Sequence, residues 1–230
     1  MFDVAVRDGI CQLSSESVRW LATGPNGGFH SAVGATNITV PEGFERQDLA
    51  AYADERRSAA GFQQAGPALL TGVDQTHARA ARSGSVTVIA TAGLSNPATL
   101  PTTADISAQD GDWEPGTVNL LVGTTRSLAP GTLATLLATA VEAKTATLQS
   151  LTGYTGTTSD AVAVGCDRTG PPAAFAGSTT PVGAETRRCV RDAVVASLEA
   201  RYDDTSLPAS VPAADYGVET TGAATVFDPN

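Results

Sequence analysis

A chain of 230 residues and 23.3 kDa, 42% hydrophobic and 17% charged, has enough apolar material for one sizeable core and too much for general disorder. Its 14 basic against 24 acidic residues give a net charge of -10 and a pI near 4.5, a field that repels phosphate backbones and anionic lipid and excludes nucleic acid as a partner. The basic residues are thirteen Arg and one Lys, Lys144, and Asp outnumbers Glu fifteen to nine. Excess carboxylate with scarce Lys is a salt-adapted composition, an acidic, arginine-biased genome being the plain alternative.

No apolar run reaches the ~18 to 20 residues of a membrane helix, and the N-terminus lacks a basic segment leading into an apolar one, so a soluble, cytoplasmic protein is expected. Cys11, Cys166 and Cys189 form no C-x-x-C pair and read as buried thiols. With His30 and His77 the only histidines, no metal site is expected.

The first forty residues predict hairpins: alternation through Val4 and Val6, a turn at Asp8-Gly9, then Ile10 and Leu13, then Val18, Trp20 and Leu21. After Pro25 to Gly28 alternation resumes through Val33, Ile38 and Val40 as a further antiparallel strand. Residues 47–62 set Leu49, Tyr52, Ala53, Ala60 and Phe62 beside a charged face and predict a helix. Apolar runs at 68–73 and 85–91 predict core strands, the second with the β-branched density of a buried one. Residues 95–116 read as an exposed loop, and 118–123 as the next strand. Pro130 opens the longest helix, to about Leu151, ended by Gly153. A strand at 161–166 and a helix at about 184–201 follow, and the acidic segment 203–230 reads as a mobile or loosely docked tail after a domain of residues 1–202. Hairpins first, then strands alternating with helices, predict a single α/β domain with a mixed sheet and helices packed against it.

No G-x-S-x-G elbow, Walker loop, H-E-x-x-H or well-placed G-x-G-x-x-G is present, so motifs alone give only a soluble α/β domain. Individual residues carry more. Lys144, the lone Lys, suggests a compact cation or a packed site that a guanidinium cannot fill, against chance retention. Glu142, two residues before it, does not share its helix face. Asp74 with His77 suggests a base and its orienting partner, or an Asp capping a helix. Ser95 and Asn96 offer a hydroxyl and an amide to a ligand, or simply build a turn. Asn119, inside an apolar strand, is a buried polar group that needs a partner, backbone or substrate. Thr157, Ser159 and Asp160 sit in a hydroxyl-rich segment that suits amide recognition or a tight turn. Gly177 to Thr180 precede the last helix as an anion-receptive N-terminus.

In order, Gly27-Gly28 with Asn37 downstream, Thr71-Gly72-Val73, Thr91-Ala92-Gly93-Leu94-Ser95-Asn96, Gly116-Thr117-Val118-Asn119, Thr139-Ala140-Val141-Glu142-Ala143-Lys144 and Thr155-Gly156-Thr157-Thr158-Ser159-Asp160 resemble the adenosylcobinamide amidohydrolase family of archaeal corrinoid salvage, from roughly Leu21 to Leu198. This chain has Thr158-Ser159-Asp160 where the family pattern runs Gly-Thr-Thr-Asp, and Val141 where Thr is usual. The resemblance implies hydrolysis of the amide between the aminopropanol arm and a corrin propionate, giving adenosylcobyric acid for coenzyme B12 synthesis. It implies a corrinoid substrate whose cobalt is the substrate's own, with no further cofactor.

On that reading Asn37, Ser95, Asn96, Asn119, Thr157 and Ser159 would supply neutral hydrogen-bonding groups to the amide-rimmed corrin. Glu142 would activate water, Lys144 or the groups near Asn96 and Asn119 would steady the oxyanion, and Asp160 or Asp74 would orient partners. The rival scheme takes Ser95, Thr157 or Ser159 as nucleophile. A corrinoid-binding or carrier protein without hydrolysis, and an amidase for another amide-rich metabolite, are the alternatives in function. Oligomeric state is left open.

Overall fold

The computed structural model describes residues 1–25, 27–62, 65–102, 117–214 and 216–229. Strands β1 (Asp3–Arg7) and β2 (Ile10–Ser14) form the expected hairpin, with Asp8 and Gly9 both at positive φ, 47° and 73°. Positive φ at both central residues matches the twist of a two-residue hairpin turn, which Asp-Gly accepts readily. Next come β3 (Val18–Ala22), β4 (Gly28–Ser31), β5 (Gly34–Thr39), α1 (Leu49–Ala59) and β6 (Ala68–Thr71). After them run β7 (Arg79–Ser83), β8 (Val86–Ala92), β9 (Pro97–Thr99), β10 (Val118–Thr124), α2 (Pro130–Thr152) and β11 (Gly156–Thr157). The chain closes with β12 (Val162–Asp167), α3 (Pro181–Arg201) and β13 (Val218–Glu219).

The expected α/β class holds, with its strands divided between two main sheets. One has the order β1-β2-β5-β6, the other β4-β3-β12-β10-β8-β7. Each contains one parallel pair joined through a helix, β5 to β6 across α1 and β10 to β12 across α2. Three apolar layers follow from this. Val88, Leu120, Leu136, Val164 and Val194 pack the larger sheet against α2 and α3. Phe2, Leu13, Trp20, Leu69, Leu121 and Ala163 fill the space between the sheets. Ile10, Ile38, Tyr52 and Ala53 seal the smaller sheet against α1. Strands β8 and β10 are therefore buried along their whole length, which is why they read as continuous apolar runs without alternation.

The layer between the sheets depends on two glycines. Gly123 and Gly165 are register partners on β10 and β12, and Phe2 and Trp20 lie over them, edge to face at 5.9 Å. A Cβ on either glycine would come within 2.6 Å of the ring above it.

Helix ends follow the sequence signals. Asp48 caps α1 by accepting from Ala51 N, Pro130 opens α2, Gly153 ends it in the left-handed region, and Thr180 caps α3 ahead of Pro181. The last helix thus begins three residues earlier than expected. Asp74 starts only a single 3-10 turn, Gln75–His77, after which the chain enters β7. Of the segment expected to be an exposed loop, 97–99 is β9, and 103–116 lies outside the described residues. In the acidic C-terminal segment, β13 pairs in parallel with β9, which also pairs with β11. Tyr154 Oη donates to Pro208 O at 2.7 Å and Tyr216 N to Ser95 O at 3.0 Å, docking that segment on the domain. No helix among the described residues is long and apolar enough to cross a membrane.

All three thiols are free and buried, and burial pushes Cys11 up to about 12 and Cys189 to about 11. Below the ordinary value of 9.0 folded and unfolded chains both keep these protons. Above it the unfolded chain releases them first, so stability falls as pH rises toward the native values. The urea midpoint should drop between about pH 8 and about pH 10.5, and drop less in Cys11→Ala; a flat profile in the wild type contradicts this. Gly165→Ala should cost about 1–3 kcal/mol by overpacking against Trp20, read as a lower midpoint with unchanged slope.

Candidate active site

Polar groups gather at one end of the sandwich, where β6 and β8 finish and β10 and β12 begin. Asn119 Nδ2 donates to Asn37 Oδ1 at 2.9 Å and to Leu70 O at 2.8 Å, and its Oδ1 accepts from Ala161 N at 3.0 Å. Asn37 Nδ2 donates in turn to Thr91 Oγ1 at 2.8 Å. Both amides are 2% exposed or less and are satisfied by one another and by the two sheets. Removing either would strand buried polar atoms at a cost of about 1–3 kcal/mol each. The structure thus brings Asn37 and Asn119 together, as a cross-link between the sheets.

Asp160, on the turn entering β12, accepts from Val118 N at 2.8 Å and Thr157 Oγ1 at 2.6 Å through Oδ1, and from Thr157 N at 3.2 Å and Lys144 Nζ through Oδ2. The ion pair with Lys144 is largely buried, the side chains being 7% and 12% exposed. A buried charge needs a partner and further hydrogen bonds to offset desolvation, and Asp160 has all of these. Gly156 leaves the space: a Cβ there would sit 2.6 Å from Asp160 Oδ2 and 3.3 Å from Lys144 Nζ. A compact ammonium fits where a planar guanidinium would not, which gives the lone Lys a physical reason. With four donors converging on it, the carboxylate has the geometry of an anchor joining α2, β10 and β12.

Glu142 departs from this cluster. Two residues from Lys144 it faces the other way, largely exposed and ion-paired with Arg187 of α3. The helical period itself puts it there, since successive residues rotate by ~100°. Asp74 is likewise outside: its Oδ1 accepts from Thr76 N at 2.7 Å, and this hydrogen bond holds its carboxyl below the usual range. It caps the turn and does not meet Asp160 or Lys144. Asn96, fully buried, donates through Nδ2 to Thr158 Oγ1 and accepts at its backbone oxygen from Thr158 N at 3.3 Å. It thereby buttresses the 156–160 turn from just before β9, whereas Ser95 O accepts from Tyr216 N of the C-terminal segment. Thr157 bonds Asp160, and Ser159 faces the neighbouring cavity.

That cavity, of about 500 Å3, opens between the two sheets. Thr71, Thr117 and Val40, all buried, are at its base with Leu70 beside them, Ser159, Asp160 and Ala161 form one wall, Thr23 to Pro25 another, and Phe44, Glu45, Arg46 and Leu49, partly or fully exposed, line its mouth. Thr71 Oγ1 lies 2.5 Å from Thr117 Oγ1 and accepts from Val73 N at 3.0 Å. Arg46 is engaged with Glu55 at 2.7 Å, whereas Glu45 has no ion-pair partner among the described residues. Two other cavities are of similar size, a groove of about 450 Å3 between α2 and α3 that includes Ala143 and Ser178, and one of about 510 Å3 on the outer face of the smaller sheet; neither is lined by the residues expected to act on or bind the corrinoid. Sequence reading gave Thr71, Thr117 and Glu45 no role. The first two stand in the quoted motifs, but a strand-end threonine is ordinary until the facing sheet is in place. Among the described residues no three His, Cys, Asp or Glu side chains gather into a metal-binding group.

Three of the quoted motif segments line this cavity, through Thr71, through Thr117, and through Ser159 with Asp160. The family model described as adenosylcobinamide amidohydrolase matches residues 3–206. A Halobacterium salinarum protein named adenosylcobinamide amidohydrolase is 49% identical over 233 aligned positions, covering 100% of both chains. With nearly the whole chain matched and half of its residues shared, this protein belongs to the adenosylcobinamide amidohydrolase family.

Proposed function

We propose that this chain hydrolyses the amide between the aminopropanol arm and the corrin propionate of adenosylcobinamide, releasing adenosylcobyric acid for cobinamide salvage. The observation that carries the reading is the family match over residues 3–206; three of the motif segments reach the cavity between the sheets, through Thr71, through Thr117, and through Ser159 with Asp160. A cavity of about 500 Å3 suits the side arm and its amide, while the corrin stays at the mouth against Phe44 and Leu49. Its cobalt belongs to the substrate. Water adds to the carbonyl carbon, the amine nitrogen takes up a proton, and the C–N bond breaks to give the acid and the amino alcohol.

Glu142, turned toward Arg187, is replaced in this scheme by Glu45, the carboxylate at the mouth without an ion-pair partner among the described residues. Lys144 and Asp160 act as the anchor that fixes Ser159 and the Thr117–Val118 backbone in place. Asn37 and Asn119 hold the sheets in register under the site, and Asn96 steadies the turn that carries Thr157. The acidic composition and the Halobacterium relative support a salt-adapted cytoplasmic enzyme.

Purified protein incubated with adenosylcobinamide across a KCl series should form adenosylcobyric acid by mass, fastest at molar salt. Intact corrinoid retained without turnover would instead make the chain a carrier. Under the same conditions Glu142→Gln should keep the wild-type rate and Glu45→Gln should lose about 10²-fold or more in kcat, the lower end of general-base effects. Lys144→Met leaves Asp160 buried without its counter-charge and should lose about 3–5 kcal/mol of stability, read by urea unfolding. Full loss of turnover in Glu142→Gln would return the base to the outer face of α2.

A further inference from the structure

The hydroxyls of Thr71 and Thr117 meet across the two sheets at the base of the cavity, 2.5 Å apart, each 2% exposed or less. Each hydroxyl carries one hydrogen and can accept as well. Whichever of the two donates, the contact uses one hydrogen and leaves the other. Thr71 Oγ1 already accepts from Val73 N at 3.0 Å, so that bond consumes no hydroxyl hydrogen. Among the described residues no acceptor takes the second one. A donor left unsatisfied in a buried place costs about 1–3 kcal/mol, and the cavity that both residues line is the space in which a ligand would satisfy it.

The group that satisfies a hydroxyl donor is an acceptor oxygen, and in an amide that is the carbonyl oxygen. We propose that the Thr71–Thr117 pair donates its spare hydrogen to the carbonyl oxygen of the scissile amide and stabilises the oxyanion that forms there. This rests on the amidohydrolase reading above and supplies it with a catalytic group. As the water oxygen bonds to the carbonyl carbon, the C=O π electrons move onto oxygen and the hydrogen bond from the threonine strengthens. When the C–N bond breaks, the electrons return, the amine nitrogen leaves with a proton drawn from the attacking water, and the threonine keeps its hydrogen throughout.

The surroundings sharpen the donor. Val73 N–H polarises the Thr71 hydroxyl, and the hydroxyl that donates within the pair polarises its neighbour, a short chain whose last hydrogen faces the cavity. Poor access to water strengthens each of these interactions. A nucleophilic role is disfavoured, because an attacking threonine needs a base within hydrogen-bond reach. Among the described residues the hydrogen-bond partners of the two oxygens are each other and an amide N–H.

The pair predicts a distinctive pattern of variants. Thr71→Val or Thr117→Val alone breaks the shared bond but leaves one hydroxyl to donate, so kcat should fall about tenfold. The double variant has no donor and should lose about 10²–10³-fold, the range for removing an oxyanion donor. Its Kd for adenosylcobinamide, measured by equilibrium dialysis on a time scale short of turnover, should rise by about tenfold or less, a smaller change than that in kcat, since the hydrogen bond to the ground-state carbonyl strengthens as charge develops in the transition state. Thr71→Ser and Thr117→Ser keep the hydroxyls and should keep most of kcat. A double variant that folds, by circular dichroism, and turns over within about threefold of wild type overturns the inference. So do serine variants as slow as the valine ones, which would mark the pair as packing between the sheets. If the double variant does not fold, the single valine variants decide: full activity in both overturns the proposal. A wild-type chain without turnover overturns the amidohydrolase reading, and this inference with it, whereas an active wild type with an active double variant overturns this inference alone.

Discussion

Two sheets lie face to face, and the Asn119 side chain joins them where the site lies. Its amide spans Asn37 and Leu70 in one sheet and Ala161 at the entrance to β12 in the other. Because Asn37 also reaches Thr91, four strands are held in one register by two side chains. Apolar packing alone would not fix that register, being non-directional. Further along the layer the spacing is set differently, by Phe2 and Trp20 resting on Gly123 and Gly165. A cavity lined by both sheets exists because one end of the layer is stitched with hydrogen bonds and the rest is filled with rings.

Asp160 extends the same logic to the helices. Its carboxylate receives α2 through Lys144, β10 through Val118 N and its own turn through Thr157. An acidic protein that has kept a single Lys has placed it where an ammonium is enclosed on nearly all sides. The large net negative charge is a property of the surface and bears on solubility; the internal charge is paired and bears on geometry. The two features have separate causes although both appear in the composition.

Much of the fold was legible in the sequence because burial leaves a pattern. The β1–β2 turn, the span of α2 from Pro130 to Gly153 and the buried strands β8, β10 and β12 follow from Asp-Gly chemistry, a proline and a glycine at helix ends, and apolar density. Strand β7 gave no such signal: Arg79, Ala80, Ala81, Arg82 and Ser83 form a half-exposed edge with little apolar content, and the chain before it resembles a helix start. The division into two sheets was not legible, since a side-chain period of two tells which face is buried and not against which partner. Nor did composition announce that the acidic C-terminal segment would add a strand beside β9. At the site, residue types were easier to find than pairings. Lys144 and Asp160 lie 16 positions apart and Thr71 and Thr117 46 apart, distances only the folded topology closes. Glu142 shows the reverse case, in which two-residue spacing on a helix already implied that it and Lys144 part company.

Whether the corrinoid enters the cavity between the sheets decides the proposed function and the catalytic scheme alike. A crystal structure of the Glu45→Gln chain soaked with adenosylcobinamide addresses it most directly. The account predicts the aminopropanol arm between the sheets, its amide oxygen within hydrogen-bond distance of Thr71 or Thr117 and the corrin at Phe44 and Leu49. Substrate lodged in the groove between α2 and α3, beside Arg187 and Arg191, or on the outer face of the smaller sheet, would contradict it.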